Sequence, residues 1–381
     1  MIATPPDFVP DCTISMLSVR HQATPGLESG TCNLISGLTA IGRNVQIAYS
    51  LEERISAEFL AFARTTPRIA LSRETGLPGG SAGRFVEEIL YANRRGLNAP
   101  RLYMNYFLPP SLRPRRHPVG VVIHDCQHRV LHHFTPRKRA WLDYNFARTL
   151  DHADRVYLIS EFERSQIARF FGDRRAERCE VIYNSIDLSR YDQSPPSAAV
   201  SEWIKRPYLL AVAQQYPHKN TRKTIEAFAL MCERDADTRL VLVGKPSPAT
   251  RAQLETEVPE AVRKRVIEAG YVSDSDLGNL YRHAALFVTA SSYEGFGMPA
   301  VEAMGLGAPI LATRGTSLPE VTLGRGAYVP EEATPGDWAD AMAACLASPP
   351  DASSRAESAT MVREKYAPAA VAKRVADSLL R

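Results

Sequence analysis

Apolar residues gather in short runs, separated by longer segments whose apolar positions recur at helical spacing. The run Thr13 to Val19 leads into a loop carrying Gly26 and Gly30, then a helical segment to Gly42 and a strand at Val45 to Tyr49. Ser72 to Gly83 holds five glycines and prolines and reads as an exposed loop. Val119 to His124 then predicts a buried strand, Arg137 to His152 an amphipathic helix, Arg155 to Ser160 a strand and Glu161 to Phe171 another helix. Beyond a strand around Cys179 to Tyr183, periodicity stops across Asp187 to Lys205, where Ser194-Pro195-Pro196-Ser197 has the chemistry of a linker.

The second half alternates more plainly. Strands are expected at Tyr208 to Ala213, Leu240 to Val243, Val266 to Val272, Leu286 to Ala290 and Pro309 to Ala312. Helices are expected at Asn220 to Cys232, in a segment ending at Leu280 to Ala285, within Ser291 to Gly307, at Pro335 to Ala347 and in the tail Ala356 to Leu380. This alternation predicts an α/β fold of two Rossmann-like domains facing a central cleft, 1–200 and 201–365. Residues 366–381 form a C-terminal helix available to pack back on the first domain. Ligands are expected beyond the carboxyl ends of the strands.

Composition sets the class. The 381 residues are 45% apolar and 23% charged, the balance of a globular protein long enough for two domains. No apolar run approaches the ~18 residues of a membrane span. Met1 to Pro6 shows neither a charged n-region nor an apolar h-region, so a cytoplasmic location is expected. Cys12, Cys32, Cys126, Cys179, Cys232 and Cys345 form no CxxC or metal-ligand spacing and read as buried free thiols in a reducing compartment. A net charge of +4 is too small for wholesale nucleic-acid binding. Between Arg101 and Arg175, however, fourteen basic residues face seven acidic ones, interleaved with aromatics as in Phe134 to Trp141. That segment is either a solvated basic face or a surface that rests on anionic lipid at the inner face of the plasma membrane.

The chemistry concentrates in Ser291 to Met304. A strand end feeds the turn Gly295-Phe296-Gly297, and Pro299 stands where a first helical turn tolerates its missing N–H, so a helix starts at about Met298. The positive end of that helix suits a diphosphate, which makes Gly295, Phe296, Gly297 and Met298 ligand-binding positions. Glu294 stands at its mouth and Glu302 is expected in its first turn. One first-turn carboxylate is a common stabilising feature; two at this spacing around a glycine turn favour function. Asp274-Ser275-Asp276 has the DxD spacing of a site for Mn²⁺ or Mg²⁺, yet Ser273 or Asp274 is placed to cap the next helix, so no metal site is assigned. Val272, at the end of the preceding strand, is counted among the ligand-binding positions.

Glu294 to Gly305, reading EGFGMPAVEAMG, resembles the motif of the retaining family 4 glycosyltransferases of the GT-B fold, whose mark is two glutamates separated by seven residues. Ala308-Pro309-Ile310 to Gly315 and Pro319-Glu320-Val321 continue the likeness. The resemblance implies that Glu294 contacts the donor sugar near the reacting centre and that Glu302 holds the ribose hydroxyls of the nucleotide. It further implies a basic pair after the first strand of the second domain. Lys219 fills the lysine position, while Gln214 stands where an arginine is expected, leaving His218, Gln214 and Gln215 to share the phosphate contacts. His124-Asp125 resembles the family's His-Asp, where the histidine faces the transferred sugar, and Gly30 resembles the glycine of the first-domain loop. Asn184-Ser185-Ile186-Asp187 resembles the N-G-[IV]-D turn, read as structural.

The activity implied by the resemblance is that of a metal-independent, retaining hexosyltransferase with no cofactor. Its donor is a nucleoside diphosphate sugar, GDP-mannose being the first to test, and its acceptor a glycan or lipid-linked glycan in cell-surface polysaccharide synthesis. Catalytic roles fall to Glu294, His124 and Lys219. The alternatives are a GT-B epimerase or phosphorylase, and a catalytically silent glycan- or nucleotide-sugar-binding protein on the same scaffold.

Overall fold

A computed structural model describes residues 7–17, 25–51, 55–74, 77, 80–131, 134–191, 193–212, 216–245 and 247–381. Two compact units divide the chain, Met1–Ile186 with Tyr366–Arg381, and Asp187–Lys365. The first unit holds seven strands, β1 (Cys12–Ser15), β2 (Val45–Tyr49), β3 (Ile69–Arg73), β4 (Arg101–Tyr103), β5 (Val119–Ile123), β6 (Arg155–Leu158) and β7 (Cys179–Val181). They form one parallel sheet in the order β3-β2-β1-β4-β5-β6-β7. The second unit holds β8 (Tyr208–Val212), β9 (Arg239–Val243), β10 (Val266–Gly270), β11 (Leu286–Thr289), β12 (Ile310–Thr313) and β13 (Ala327–Val329), parallel in the order β10-β9-β8-β11-β12-β13.

Parallel strands need crossover helices, and helices on both faces bury the sheet. That explains the continuous apolar runs: every residue of β5, and all of β8 except Val212, is buried. In each sheet the strand order reverses beside the first strand, between β1 and β4 and between β8 and β11. A crevice opens at such a reversal, at the carboxyl ends of the strands.

Several expectations are corrected. The break between units falls at Ile186/Asp187, not near residue 200, because the apparent linker is bonded into the second unit. Asn279 Nδ2 donates to Ser194 O at 3.0 Å, and Ser197 N–H donates to Asp276 Oδ1 at 2.8 Å. Gly26 and Gly30 lie inside the helix Pro25–Ala40 rather than in a loop before it. Tertiary packing overrides their weak helix propensity. The stretch read as a loop at 72–83 already contains the start of the helix Gly80–Ala92. β10 ends at Gly270, whose φ of 65° turns the chain, so Val272 belongs to the following loop.

The helix Pro368–Leu379, from the far end of the chain, packs on Pro25–Ala40 within the first unit. Contact is so close at Gly37 that a Cβ there would stand 2.1 Å from the Pro368 carbonyl oxygen. Ile186 N–H donates to Tyr366 O at 2.8 Å, tying together the residues at which the chain leaves and re-enters this unit. Among the described residues, no helix is long and apolar enough to cross a membrane.

Candidate functional site

β8 and β11 pair directly, Leu209 with Leu286 and Leu210 with Phe287, so their following loops emerge side by side at the reversal. The loops are also bonded to each other. Ser292 N–H donates to His218 O at 2.8 Å, and Asn220 Nδ2 donates to Ala290 O at 2.9 Å. Asn220 takes the left-handed conformation (φ 49°, ψ 41°), which asparagine tolerates better than most residues, and so turns the chain from the 3₁₀ segment Pro217–Lys219 into the helix Thr221–Met231. The Tyr216 and His218 rings stack at 5.6 Å between centroids. This bracing brings Lys219 Nζ to 2.6 Å from Glu294 Oε1, with both side chains largely buried.

Gly297 caps the helix Met298–Gly305 with φ 80° and ψ 49°. A Cβ there would stand 2.5 Å from Leu318 Cδ2, so conformation and space both demand glycine. Phe296 is buried beneath the turn, and Ser317 N–H donates to the Glu294 carbonyl at 3.4 Å. At this helix start Pro299 has no N–H, and Ala300 and Val301 N–H donate to the Gly297 carbonyl at 3.0 and 3.4 Å, so the helix end offers its dipole and the Met298 amide, next to Glu294 and its lysine.

Glu302 is the fifth residue of that helix, in its second turn rather than its first. The helix dipole acts mainly within one turn, so the bland explanation for this carboxylate is weakened. Its side chain is only 6% exposed; Oε1 accepts from Arg190 Nη2 at 2.7 Å and Oε2 from the Tyr281 hydroxyl at 3.2 Å. Burial pushes the Glu302 carboxyl above its ordinary range, against the pull of Arg190 and the hydroxyls of Tyr191 and Tyr281. Nothing in the sequence singles out Arg190, Tyr191 or Tyr281. The Arg190–Glu302 pair spans 112 positions, which no local spacing reveals.

Glu294, Lys219, Gly295, Phe296, Gly297, Met298 and Glu302 thus come together at one end of the second unit. Val272 follows β10 at the same end of the sheet, two strands from β8, and is half-buried. Gln214 lies outside the described residues. Ser273, with φ −64° and ψ 159°, caps the helix Asp274–His283 by accepting from Asp276 N–H, and Asp276 is engaged with Ser197.

His124 and Gly30 belong to the first unit. His124 follows β5, and its ring bonds the backbone of Met104, the residue just after β4, which places it beside the reversal of that sheet. Its Nε2 is sealed from solvent without a hydrogen-bond partner, and burial pulls the imidazole down to about 4. Next to it, burial pushes Asp125 up to about 6, against two hydrogen bonds from Gln127. The loop is fixed by Cys126 N–H donating to the buried Glu163 carboxylate at 3.0 Å. Gly30, inside its helix, has its backbone committed to the helical ladder, so the assignment of a glycine loop at this position is corrected. A Cβ at Gly30 would make only ordinary contact, 3.8 Å from Asn184 Oδ1. Residues 18–24, which precede the helix, lie outside the described residues.

Two family models match, Glycosyltransferase Family 4 over residues 26–190 and Glycosyl transferases group 1 over 198–362. Each half of the chain therefore matches a glycosyltransferase family model. Among similar proteins, O-antigen chain mannosyltransferase B of Escherichia coli is 29% identical over 57% of this chain and 57% of its own length. The serotype-specific mannosyltransferase WbdA of E. coli is 38% identical over 45% of this chain and 22% of its own. Mannosylfructose-phosphate synthase of Agrobacterium fabrum is 28% identical over 45% and 42%. The chain thus spans about half or less of the length of these relatives. Among solved structures, Anabaena HepE in complex with UDP and glucose superposes with a TM-score of 0.70 at 17% identity, covering 97% of this chain and 99% of that one. WaaG, a glycosyltransferase involved in lipopolysaccharide biosynthesis, superposes with a TM-score of 0.67 at 15% identity over 97% and 99%. The fold is GT-B.

The sealed imidazole has a measurable consequence. Because the folded His124 pKa lies below the ordinary value, the unfolded chain takes up the proton first. The stability this represents is complete above about pH 6.5 and is lost as pH falls towards 4. Urea unfolding of the parent and of His124→Gln should therefore diverge between pH 6.5 and 4.5, the parent losing on the order of 1–3 kcal/mol relative to the variant. Parallel curves across that interval would refute a neutral, desolvated imidazole.

Proposed function

We propose that this protein is a retaining hexosyltransferase, moving a sugar from a nucleoside diphosphate donor to a hydroxyl of a glycan or lipid-linked glycan in cell-surface polysaccharide synthesis. The observation that carries the reading is the meeting of Lys219 and Glu294 at the strand reversal of the second unit, with Glu302 buried one turn into the adjoining helix. An ammonium and a helix start at one point favour an anion, and the charge that grows on a departing diphosphate is such an anion. Glu294 is held by Lys219 to accept hydrogen bonds from the sugar, and Glu302 takes the ribose hydroxyls. The diphosphate oxygen that leaves carries away the acceptor's proton, so attack occurs on the face of departure and the anomeric configuration is retained. His124, kept neutral with its ring N–H on the Met104 backbone, presents Nε2 to accept a hydrogen bond from a hydroxyl of the transferred sugar rather than a charge. The relatives named for mannose transfer favour mannose, and GDP-mannose is the first donor to test.

Metal independence rests on the same groups. Lys219 and the helix start supply the positive charge that a divalent ion would otherwise bring, while Asp276 is taken up in holding Ser197.

An anionic membrane surface is the proposed second partner. The helix Gly80–Ala92, the loop at 108–117 and the helix Pro136–His152 are neighbours. Phe85 packs on Phe107 and on Trp141, and Leu112 N–H donates to Asn93 Oδ1 at 2.7 Å. On these elements Leu112 is 93% exposed and Tyr144 66%, with Leu90, Val86 and Trp141 also exposed. Arg113, Arg115, Arg116, Arg137 and Lys138 lie among them in sequence, each basic residue near a charged bilayer contributing about 1 kcal/mol.

If the roles are as proposed, Glu294→Ala should lower kcat by at least ~100-fold with little change in KM, whereas Glu302→Ala should chiefly raise donor KM. Identical kinetic profiles for the two would count against the assignment, and failure of the parent to release nucleoside diphosphate from any sugar donor would favour a silent binding protein. Transfer should persist in excess EDTA; loss restored by Mn²⁺ or Mg²⁺ would overturn the mechanism. Sedimentation should recover the protein with anionic vesicles and not with neutral ones, and equal recovery in both removes the membrane partner.

A further inference from the structure

We propose that Arg190 is a positioning residue for donor recognition, its guanidinium holding the buried Glu302 carboxylate ionised and aimed so that it accepts the hydroxyls of a nucleotide's ribose. The inference rests on the reading of Glu302 as the ribose-holding residue. A carboxylate with 6% of its side chain exposed is costly to keep charged unless it is paired. Arg190 supplies the pair at 2.7 Å on Oε1, and Tyr281 donates to Oε2 at 3.2 Å. The Tyr191 hydroxyl bonds the same carboxylate. An ionised carboxylate has about four acceptor positions, so with these three donors at least one remains for a ribose hydroxyl.

Arg190 is itself held. Its guanidinium lies 4.5 Å from the centroid of the Tyr191 ring and donates to the Tyr191 hydroxyl. Arg282 donates to the Tyr191 carbonyl, and Gly278 leaves room for Tyr191: a Cβ at Gly278 would stand 2.9 Å from that residue's Cβ. The order therefore runs from the helix Asp274–His283 through Tyr191 and Arg190 to Glu302. The titratable groups facing Glu302 are Arg190 and Tyr191 from the segment before residue 198, and Tyr281 and Asp274 from the helix Asp274–His283. Asp274 is the only acid among them. From the helix Ala352–Lys365, Arg363 reaches the Gly305 carbonyl at the far end of the Glu302 helix. Of these groups, Arg190 is the single cation in contact with the carboxylate.

The test is calorimetric binding of GDP and of UDP to the parent, Arg190→Gln, Arg190→Lys and Glu302→Ala between pH 6 and 9. For whichever nucleotide the parent binds more tightly, Arg190→Gln should weaken binding by at least ~10-fold at pH 7, the scale of one lost charge-assisted hydrogen bond. Without its cation, the carboxyl protonates at higher pH, so the variant's affinity should recover as pH rises, along a profile displaced to higher pH than the parent's. Arg190→Lys should restore most of the affinity and of the parent's profile. A Gln variant that binds like the parent while Glu302→Ala fails to bind would overturn the role of Arg190 alone. Glu302→Ala binding like the parent would overturn the ribose reading and this inference with it. An equal, pH-independent loss in both arginine variants, with equally lowered melting temperatures, would show a structural brace and overturn the positioning role.

Discussion

The chemistry of Asp187–Lys365 depends on the reversal of strand order between β8 and β11. Neighbouring parallel strands end at the same level, but at a reversal their connections depart in opposite directions, so two loops can meet without either covering the other. Here they are stitched by Ser292 N–H donating to the His218 carbonyl and by the Asn220 side-chain amide donating to the Ala290 carbonyl. Those bonds set the separation of Lys219 and Glu294, although the two residues are distant in sequence and their side chains could each adopt many rotamers. A site built on such a junction inherits the rigidity of the sheet beneath it.

The two glutamates, seven residues apart, occupy different physical environments. Glu294 stands in a loop opposite a lysine, a compact and rotatable point charge. Glu302 lies inside a helix opposite an arginine, whose planar fork fixes direction as well as charge. Each acid draws its base from a distant segment, the β8 loop in one case and the segment after Ile186 in the other. The spacing between the acids therefore reports only half of the arrangement, and the geometry of the bases supplies the rest.

The alternation of apolar runs and helical periods revealed β8, β9, β11 and β12 of the second unit, because buried parallel strands leave unbroken apolar runs, and also the half-buried β10, while the short, partly exposed β13 escaped it. β4 escaped notice since three residues carry no periodicity, and the start of the Gly80–Ala92 helix was hidden by glycines that usually mark turns. Gly30 misled for the same reason. The turn Gly295-Phe296-Gly297 was legible because a left-handed cap followed by proline leaves a local signature. Arg190 was not, since its partner is set by tertiary folding alone. Ser194 to Ser197 read as a linker by composition, and hydrogen bonds with Ser275, Asn279 and Asp276 attach it to the second unit.

The helix Pro368–Leu379 completes a unit whose other residues end at Ile186, and at Gly37 the contact leaves no room for a methyl group. On the ribosome, chains emerge from the amino end and domains generally fold as units as they appear. Here the first unit to emerge lacks one of its helices until residues 366–381 are synthesised, whereas Asp187–Lys365 is one continuous segment. During synthesis the helix Pro25–Ala40 must wait, its docking face uncovered, until the whole of the second unit has been made. Nascent chains of this protein therefore pass through an interval in which every residue of the second unit has been made and the first still lacks a helix, and that uncovered face is what holdase chaperones would meet.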